Sequence, residues 1–198
     1  MLTCAAMARP KEFDRERVLA RAIKVFAEHG YEGASTEALL EAMHINRQSL
    51  YDTFGTKREL YLEALRTYNA ASTARILESL ASGTTALDGI ERALMTFIDD
   101  NCARPNPACL GVSAVCEFGR RDRGIAAAFE DSHRALFDPL VRAFERARSA
   151  REIDRDLAPA TAARFFLSTL SGVKLSARAG MPVEQLRDIV RLALRALA

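Results

Sequence analysis

With 198 residues, 49% of them hydrophobic and 27% charged, the chain is long enough to bury one large core or two small ones, and its balance excludes a disordered or fibrous protein. The formal net charge is only +2, and residues 1–68 set ten Lys/Arg against ten Asp/Glu, which excludes capture of nucleic acid by a diffuse basic surface. No stretch is long and charge-free enough to span a bilayer, the opening MLTCAA lacks the apolar run of a signal peptide, and four cysteines without a CxxC pair fit reduced thiols; a cytoplasmic protein is expected.

Met7, followed by Ala-Arg-Pro-Lys, is an alternative start. Arg9-Pro10-Lys11 reads either as a solvated terminus or as an arm that touches a minor groove or a phosphate backbone. Asp14 caps the first predicted helix, with Phe13 and Val18 as a hydrophobic staple. Val18, Leu19, Ala22, Ile23, Phe26 and Ala27 form its buried stripe, and Gly30 ends it.

The next stretch, STEALLEAMHINRQSLYDTFGTK from Ser35 to Lys57, predicts two short helices joined by a tight turn and the start of a third. Ser35 and Thr36 offer capping hydroxyls to the first, whose apolar residues are Leu39, Leu40 and Met43. Asn46 caps the second, and Ile45 with Leu50 closes a staple that fixes its exit angle. The second helix, about 47–53, is too short to stand alone. Its residues Arg47, Gln48, Tyr51 and Asp52 share one face, leaving Leu50 and Phe54 for the core. A short anchored helix that shows Arg, Gln and Tyr outward suits the DNA major groove.

At these residues the chain resembles the tetracycline-repressor (TetR) family of bacterial transcription regulators. The string Phe26-Ala-Glu-His-Gly30-Tyr31, Ser35-Thr36, Ile45-Asn46-Arg47, Leu50-Tyr51, Phe54 and Lys57 stands at that family's spacing. The detailed match covers residues 12–66; beyond it the likeness is one of architecture. One departure is His44, where the family has glycine in the turn; if the position needs positive φ, histidine carries slight strain there. The resemblance implies an inducer pocket among the C-terminal helices, a homodimer and a repressor.

Thr56 and Glu59 make a capping box that opens a helix free of Gly and Pro until Gly83. At about 26 residues and 1.5 Å each it would run about 39 Å, longer than a three-helix head requires. Residues 57–82 are therefore read as the connection between a helix-turn-helix DNA-binding domain, 8–56, and a helical ligand-binding and dimerisation domain, 57–198. Further helices are expected at about 85–103, 108–119 and 124–149, the last kinked at Pro139. Pro159 opens another to about Arg178, and Gly180-Met181-Pro182 introduces the last. Strand-like alternation is missing throughout, so the fold class is all-α.

The helix 160–177, ATAARFFLSTLSGVKLSA, carries only two charges, Arg164 and Lys174, about 80° apart around its axis. So small a polar face implies burial on two sides, one of them against a partner subunit. Phe165, Ser168 and Gly172, with Leu186, Val190 and Leu194 of the last helix, are the expected dimer surface; the alternative is that both helices are internal to a monomer core.

For DNA, Arg47, Gln48 and Ser49 are the candidate base contacts, because Arg fits the acceptors of guanine and Gln the edge of adenine. Thr36, Tyr51 and Lys57 are the candidate phosphate clamps. Among the phenylalanines and their neighbours, Phe97, Cys109, Phe118, His133, Phe137 and Phe166 are the candidate ligand contacts. Cys102, Cys109 and Cys116 fall seven apart, which raises a thiol or metal sensor on the same scaffold, although small buried apolar cysteines are the plainer reading. Asp99-Asp100 has no second acidic cluster to complete a metal-dependent helical enzyme, and no catalytic triad, phosphate loop or dinucleotide fingerprint is present. The reading is a DNA-binding regulator, not an enzyme, with no metal or cofactor and no membrane partner. It binds a double-stranded operator as a homodimer and answers to a small-molecule effector that the sequence leaves unidentified.

Overall fold

The computed structural model describes residues 13–99 and 109–197, and within them the chain is helical with no strand. Met7, the Arg9-Pro10-Lys11 arm, Asp100, Cys102, Pro105 and Pro107 lie outside the described residues. Helix α1, Arg15–Gly33, starts where the Asp14 carboxylate accepts from the amides of Glu16 and Arg17 at 3.0 and 3.2 Å. It breaks at Gly30 (φ 72°, ψ −173°), a conformation open in practice to glycine alone, and resumes for one short turn. Helix α2, Thr36–Met43, is capped by Ser35 Oγ and ends at His44, which does take the left-handed conformation (φ 55°, ψ 44°). Helix α3, Arg47–Phe54, is capped by Asn46. The predicted capping box of Thr56 and Glu59 opens α4, Lys57–Ala81, whose 25 residues run about 37 Å.

Helix α5, Ala86–Phe97, is capped by Thr85, and Ile98 and Asp99 wind on as a wider turn; residues 100–103 of the predicted 85–103 lie outside the described residues. Then come α6, Leu110–Phe118, and α7, Arg123–Ser149. The kink expected at Pro139 does not interrupt α7, which is helical from end to end. Helix α8, Pro159–Arg178, and α9, Val183–Arg195, complete the chain. Helix α5 lies so close to the end of α4 that a Cβ on Gly89 would stand 2.3 Å from the Leu80 carbonyl oxygen, so glycine is required there.

Apolar burial is divided into two clusters. One, beneath α1–α3, gathers Phe26, Leu39, Met43, Leu50 and Phe54 with Leu60, Tyr61 and Leu65 of α4, and is closed by Leu110 and Ala114 of α6 and Ile125 and Ala128 of α7. The other joins Ile76 and Leu80 of α4 to Ile90 and Leu94 of α5, Leu140 and Phe144 of α7, Phe166 and Leu170 of α8, and Leu186 and Val190 of α9. Helices α4 and α7 thus feed both. Between its two apolar ends α4 turns polar: Asn69 and Ser72 are buried at 8% and 7% exposure. No described helix is long and apolar enough to cross a membrane.

Candidate nucleic-acid interface and apolar cavity

Helix α3 is fixed by its caps and its two buried residues. Asn46 Oδ1 accepts from the Ser49 amide at 2.7 Å, while Leu50 and Phe54 are 1% and 5% exposed in the head core. What remains faces outward. Arg47, Gln48, Tyr51 and Asp52 are exposed, as the 3.6-residue period required. Tyr51 is the most exposed aromatic of the head at 47%. Ser49 and Thr36 are half-buried beside them, Thr36 as the first residue of α2.

Three of the outward groups are already engaged within the chain. Arg47 Nη2 donates to Glu37 Oε1 at 2.5 Å, and Gln48 Nε2 donates to Asp52 Oδ1 at 2.8 Å. Both pairs are solvated, and such pairs are weak enough to be exchanged for a base edge or a phosphate. They also screen the surface, which explains how a neutral head carries an outward Arg. Lys57 lies at the start of α4 with its Nζ 4.5 Å above the Tyr31 ring, half-buried rather than free-standing.

Tyr31 belongs to a joint between the head and the remainder of the chain that the sequence did not reveal. Its ring meets Tyr61 and Phe118 edge-on at 5.1 and 5.4 Å, and Phe26 meets Tyr61 at 4.9 Å. Its amide donates to both carboxylate oxygens of Glu117, at 3.1 and 2.8 Å. That carboxylate fills the space that a Cβ on Gly30 would occupy. The Tyr61 hydroxyl is buried without a partner, and burial first and the Glu117 charge second push its ionisation well above the ordinary tyrosine range. Nearby, Arg58 forks onto Asp122 at 2.8 and 2.9 Å, and that pairing, with the amides of Ile125 and Gly124, holds the Asp122 carboxyl below its usual range.

The far end of α6 lies at a cavity of about 370 Å³ framed by α4, α6, α7 and α8. Of the expected ligand contacts, Cys109 and His133 line it. Phe118 does not; it is spent in the Tyr31–Tyr61 joint. Phe166 and Phe97 are 1% and 4% exposed inside the second core cluster, so they pack helices together and do not line the cavity. Phe137 stacks on His133 at 5.5 Å and lines a shallow groove outside the cavity. Asn69, Ser72 and Lys174 line the cavity and were not anticipated. Cys109 is buried, its Sγ 3.5 Å from the Tyr68 hydroxyl, and Cys116, two turns along α6, is exposed; both contribute to the cavity wall. No group of three His, Cys, Asp or Glu among the described residues could hold a metal ion, and Asp99 pairs with Arg187 Nη2 at 2.6 Å.

The expected dimer surface divides. On α8, Phe165 is 40% exposed, Ser168 is exposed, and a Cβ added at Gly172 would meet nothing within 4 Å. On α9 the expectation needs correction, because Leu186 and Val190 are 0% exposed in their own chain's core and Leu194 packs half-buried against it. Residues that cannot reach solvent in one chain cannot meet a second. The apolar groups that α9 does expose are Ile189 at 39% and Leu192 at 65%.

Comparison with known proteins agrees with this arrangement. A family model described as bacterial regulatory proteins, tetR family, matches residues 18–64. The chain is 33% identical over 196 residues to an uncharacterized HTH-type transcriptional regulator, YezE, of Bacillus subtilis, covering 96% of this chain and 100% of that one. It is 30% identical over 192 residues to the HTH-type transcriptional repressor ComR of Escherichia coli, covering 94% and 90%. Among solved structures it is similar to a cysteine mutant of the TetR family transcriptional regulator CifR, complexed with 26-base-pair double-strand operator DNA. There the TM-score is 0.83 and the identity 31%, over 95% of this chain and 99% of that one.

Proposed function

We infer, for a chain that belongs to the TetR family of bacterial regulatory proteins and so regulates transcription by binding DNA, a cytoplasmic repressor that works as a homodimer. The observation that carries this reading is α3, whose cap and two buried anchors leave Arg47, Gln48 and Tyr51 outside the core, Arg47 and Gln48 in solvated pairs alone. Arg47 and Gln48 read base edges, with Ser49 beside them; Thr36, Tyr51 and Lys57 position the duplex through its phosphates. Residues 8–56 form the reading head and 57–198 the ligand-binding and pairing body, linked through α4. Two copies pair through the open faces of α8 and α9, around Phe165, Ser168, Gly172, Ile189 and Leu192. Their two α3 helices then meet successive major grooves about 34–36 Å apart, which requires a near-palindromic operator.

The effector occupies the cavity beside α6. One end of that helix lines the cavity at Cys109, and the other supplies Glu117 to the amide of Tyr31 in the head. A ligand that favours the conformer in which α6 is displaced weakens DNA binding by its differential affinity, about 5–150-fold for a coupling of about 1–3 kcal/mol. Selection from random DNA is expected to return a near-palindrome. Tyr51→Ala and Lys57→Ala are expected to weaken binding to that site and to unrelated DNA alike while the dimer persists, and Lys57→Ala, which removes a charge, to flatten the salt dependence as well. Gel-shift titrations at two salt concentrations that find wild-type affinity for both variants would reject the phosphate roles.

A second reading is favoured by the placement of Cys109 in the same cavity, its sulfur 3.5 Å from the Tyr68 hydroxyl. On it, the chain answers to oxidants through Cys109 and Cys116, with Cys102 outside the described residues. The Cys109→Ser, Cys116→Ser double variant is then expected to hold operator DNA in hydrogen peroxide that releases the wild type; release of both alike discards a thiol sensor at these positions.

A further inference from the structure

The middle of α4 carries a polar group that the fold does not use. Asn69 is 8% exposed, lines the cavity, and has an amide nitrogen, Nδ2, that is buried without a hydrogen-bond partner. The free end of the amide is thus its nitrogen, a donor, and what it lacks is an acceptor. Around it the walls are mostly apolar, with Ile76, Leu136, Leu167 and Leu170 on three helices, and Ser132, His133 and Ser171 among the polar groups that interrupt them. An orphaned donor in such surroundings is destabilising until something accepts from it, and among the described residues no group does.

The character of the acceptor follows from its neighbours. Among the described residues that line the cavity there is no Asp or Glu, so a ligand ammonium would be buried without a counter-charge. A hydroxyl would accept from Asn69 but would bring a proton needing its own partner. A carboxylate would need its charge matched, and Lys174, its ammonium 4.7 Å from the Phe97 ring, is the one lysine or arginine among the described lining residues; the acid is therefore the competitor that the test sets against the ketone. A carbonyl oxygen accepts only and carries no net charge. The cavity, about 370 Å³, has room for about 12 non-hydrogen atoms at a water molecule's share of about 30 Å³ each.

We propose that this cavity takes a small, largely apolar, uncharged carbonyl compound whose oxygen accepts the free N–H of Asn69. The proposal rests on the reading of this cavity as the effector site, and deepens it by naming the ligand class and the residue that selects it. Asn69 is thereby the specificity determinant: it discriminates against the plain hydrocarbon, which leaves its amide unpaired.

The test is calorimetric titration of the purified full-length protein with four matched probes: butyrophenone, butylbenzene, 1-phenyl-1-butanol and 4-phenylbutanoate. The ketone is expected to bind at least fivefold more tightly than the other three. In Asn69→Leu, which keeps the volume and removes the amide, the ketone is expected to weaken about 5–10-fold while butylbenzene binds as well as before or better. Equal or tighter binding of the hydrocarbon, the alcohol or the acid to the wild type overturns the proposal, as does failure of all four to bind. An Asn69→Leu variant with unchanged ketone affinity overturns it too, and the wild-type ranking decides alone should that variant not fold. Ketone that binds through Asn69 without releasing the selected operator upholds the ligand class and removes the effector reading instead.

Discussion

Arg47→Ala is expected to weaken binding to the selected operator by about 5–150-fold for each half-site, the span that corresponds to about 1–3 kcal/mol for one bidentate base contact, and the homodimer loses two. Helix α3 is held by Asn46, Leu50 and Phe54, and the Arg47 side chain adds only a solvated pair with Glu37, so its removal leaves the helix where it was. In the free chain the guanidinium is parked on Glu37, and DNA binding exchanges that solvated carboxylate for guanine or phosphate. The two destinations are separable. A base contact gives a loss confined to the operator and relaxes selectivity at one position in each half-site, whereas a phosphate contact gives the same loss on any duplex. Competition titrations against a scrambled duplex at fixed salt distinguish them, and an equal loss on both overturns the assignment of Arg47 to base reading.

Phe144→Ala is expected to cost about 3–5 kcal/mol of folding stability, lowering the melting temperature by about 6–20 °C for a chain of this size. Phe144 is 0% exposed in the second core cluster, where a truncated ring leaves a void that the surrounding helices cannot close without shifting together. Although the core is in two clusters, α4 and α7 supply residues to both, so the expectation is a single cooperative transition displaced to lower temperature. Calorimetry checks this directly. A loss under about 1 kcal/mol, or a head that melts apart from the body at unchanged temperature, contradicts the coupling assigned to those two helices.

What could be read in advance was mostly local. Asp14, Ser35, Asn46 and the Thr56–Glu59 box announce helix starts because a cap and its partner lie within three residues of each other. The outward face of α3 follows from the same short-range geometry. Helix α9 defeated that logic: Leu186, Ile189, Val190, Leu192 and Leu194 surround most of its circumference, and only its docking shows that Ile189 and Leu192 are left outside. The phenylalanines misled for a related reason. An aromatic ring suits a cavity wall and a core equally, and Phe118 and Phe166 were taken by the core. Asn69 and Ser72 did carry a signal, as two polar residues on the inner stripe of a long helix whose ends are apolar. Glu117 carried a fainter one, as the single charge of α6; its partner is 86 positions away.

That last pairing has a mechanical consequence. Glu117 grips one amide with both oxygens, at 2.8 and 3.1 Å, and neither bond survives a stretch much past 3.5 Å. A slide of α6 by less than one ångström therefore exhausts both, the longer bond first, so a small displacement is enough to open the clasp. Opened, it leaves the Tyr31 nitrogen at a half-buried residue that water can reach, so unclasping strands no polar atom and reverses readily.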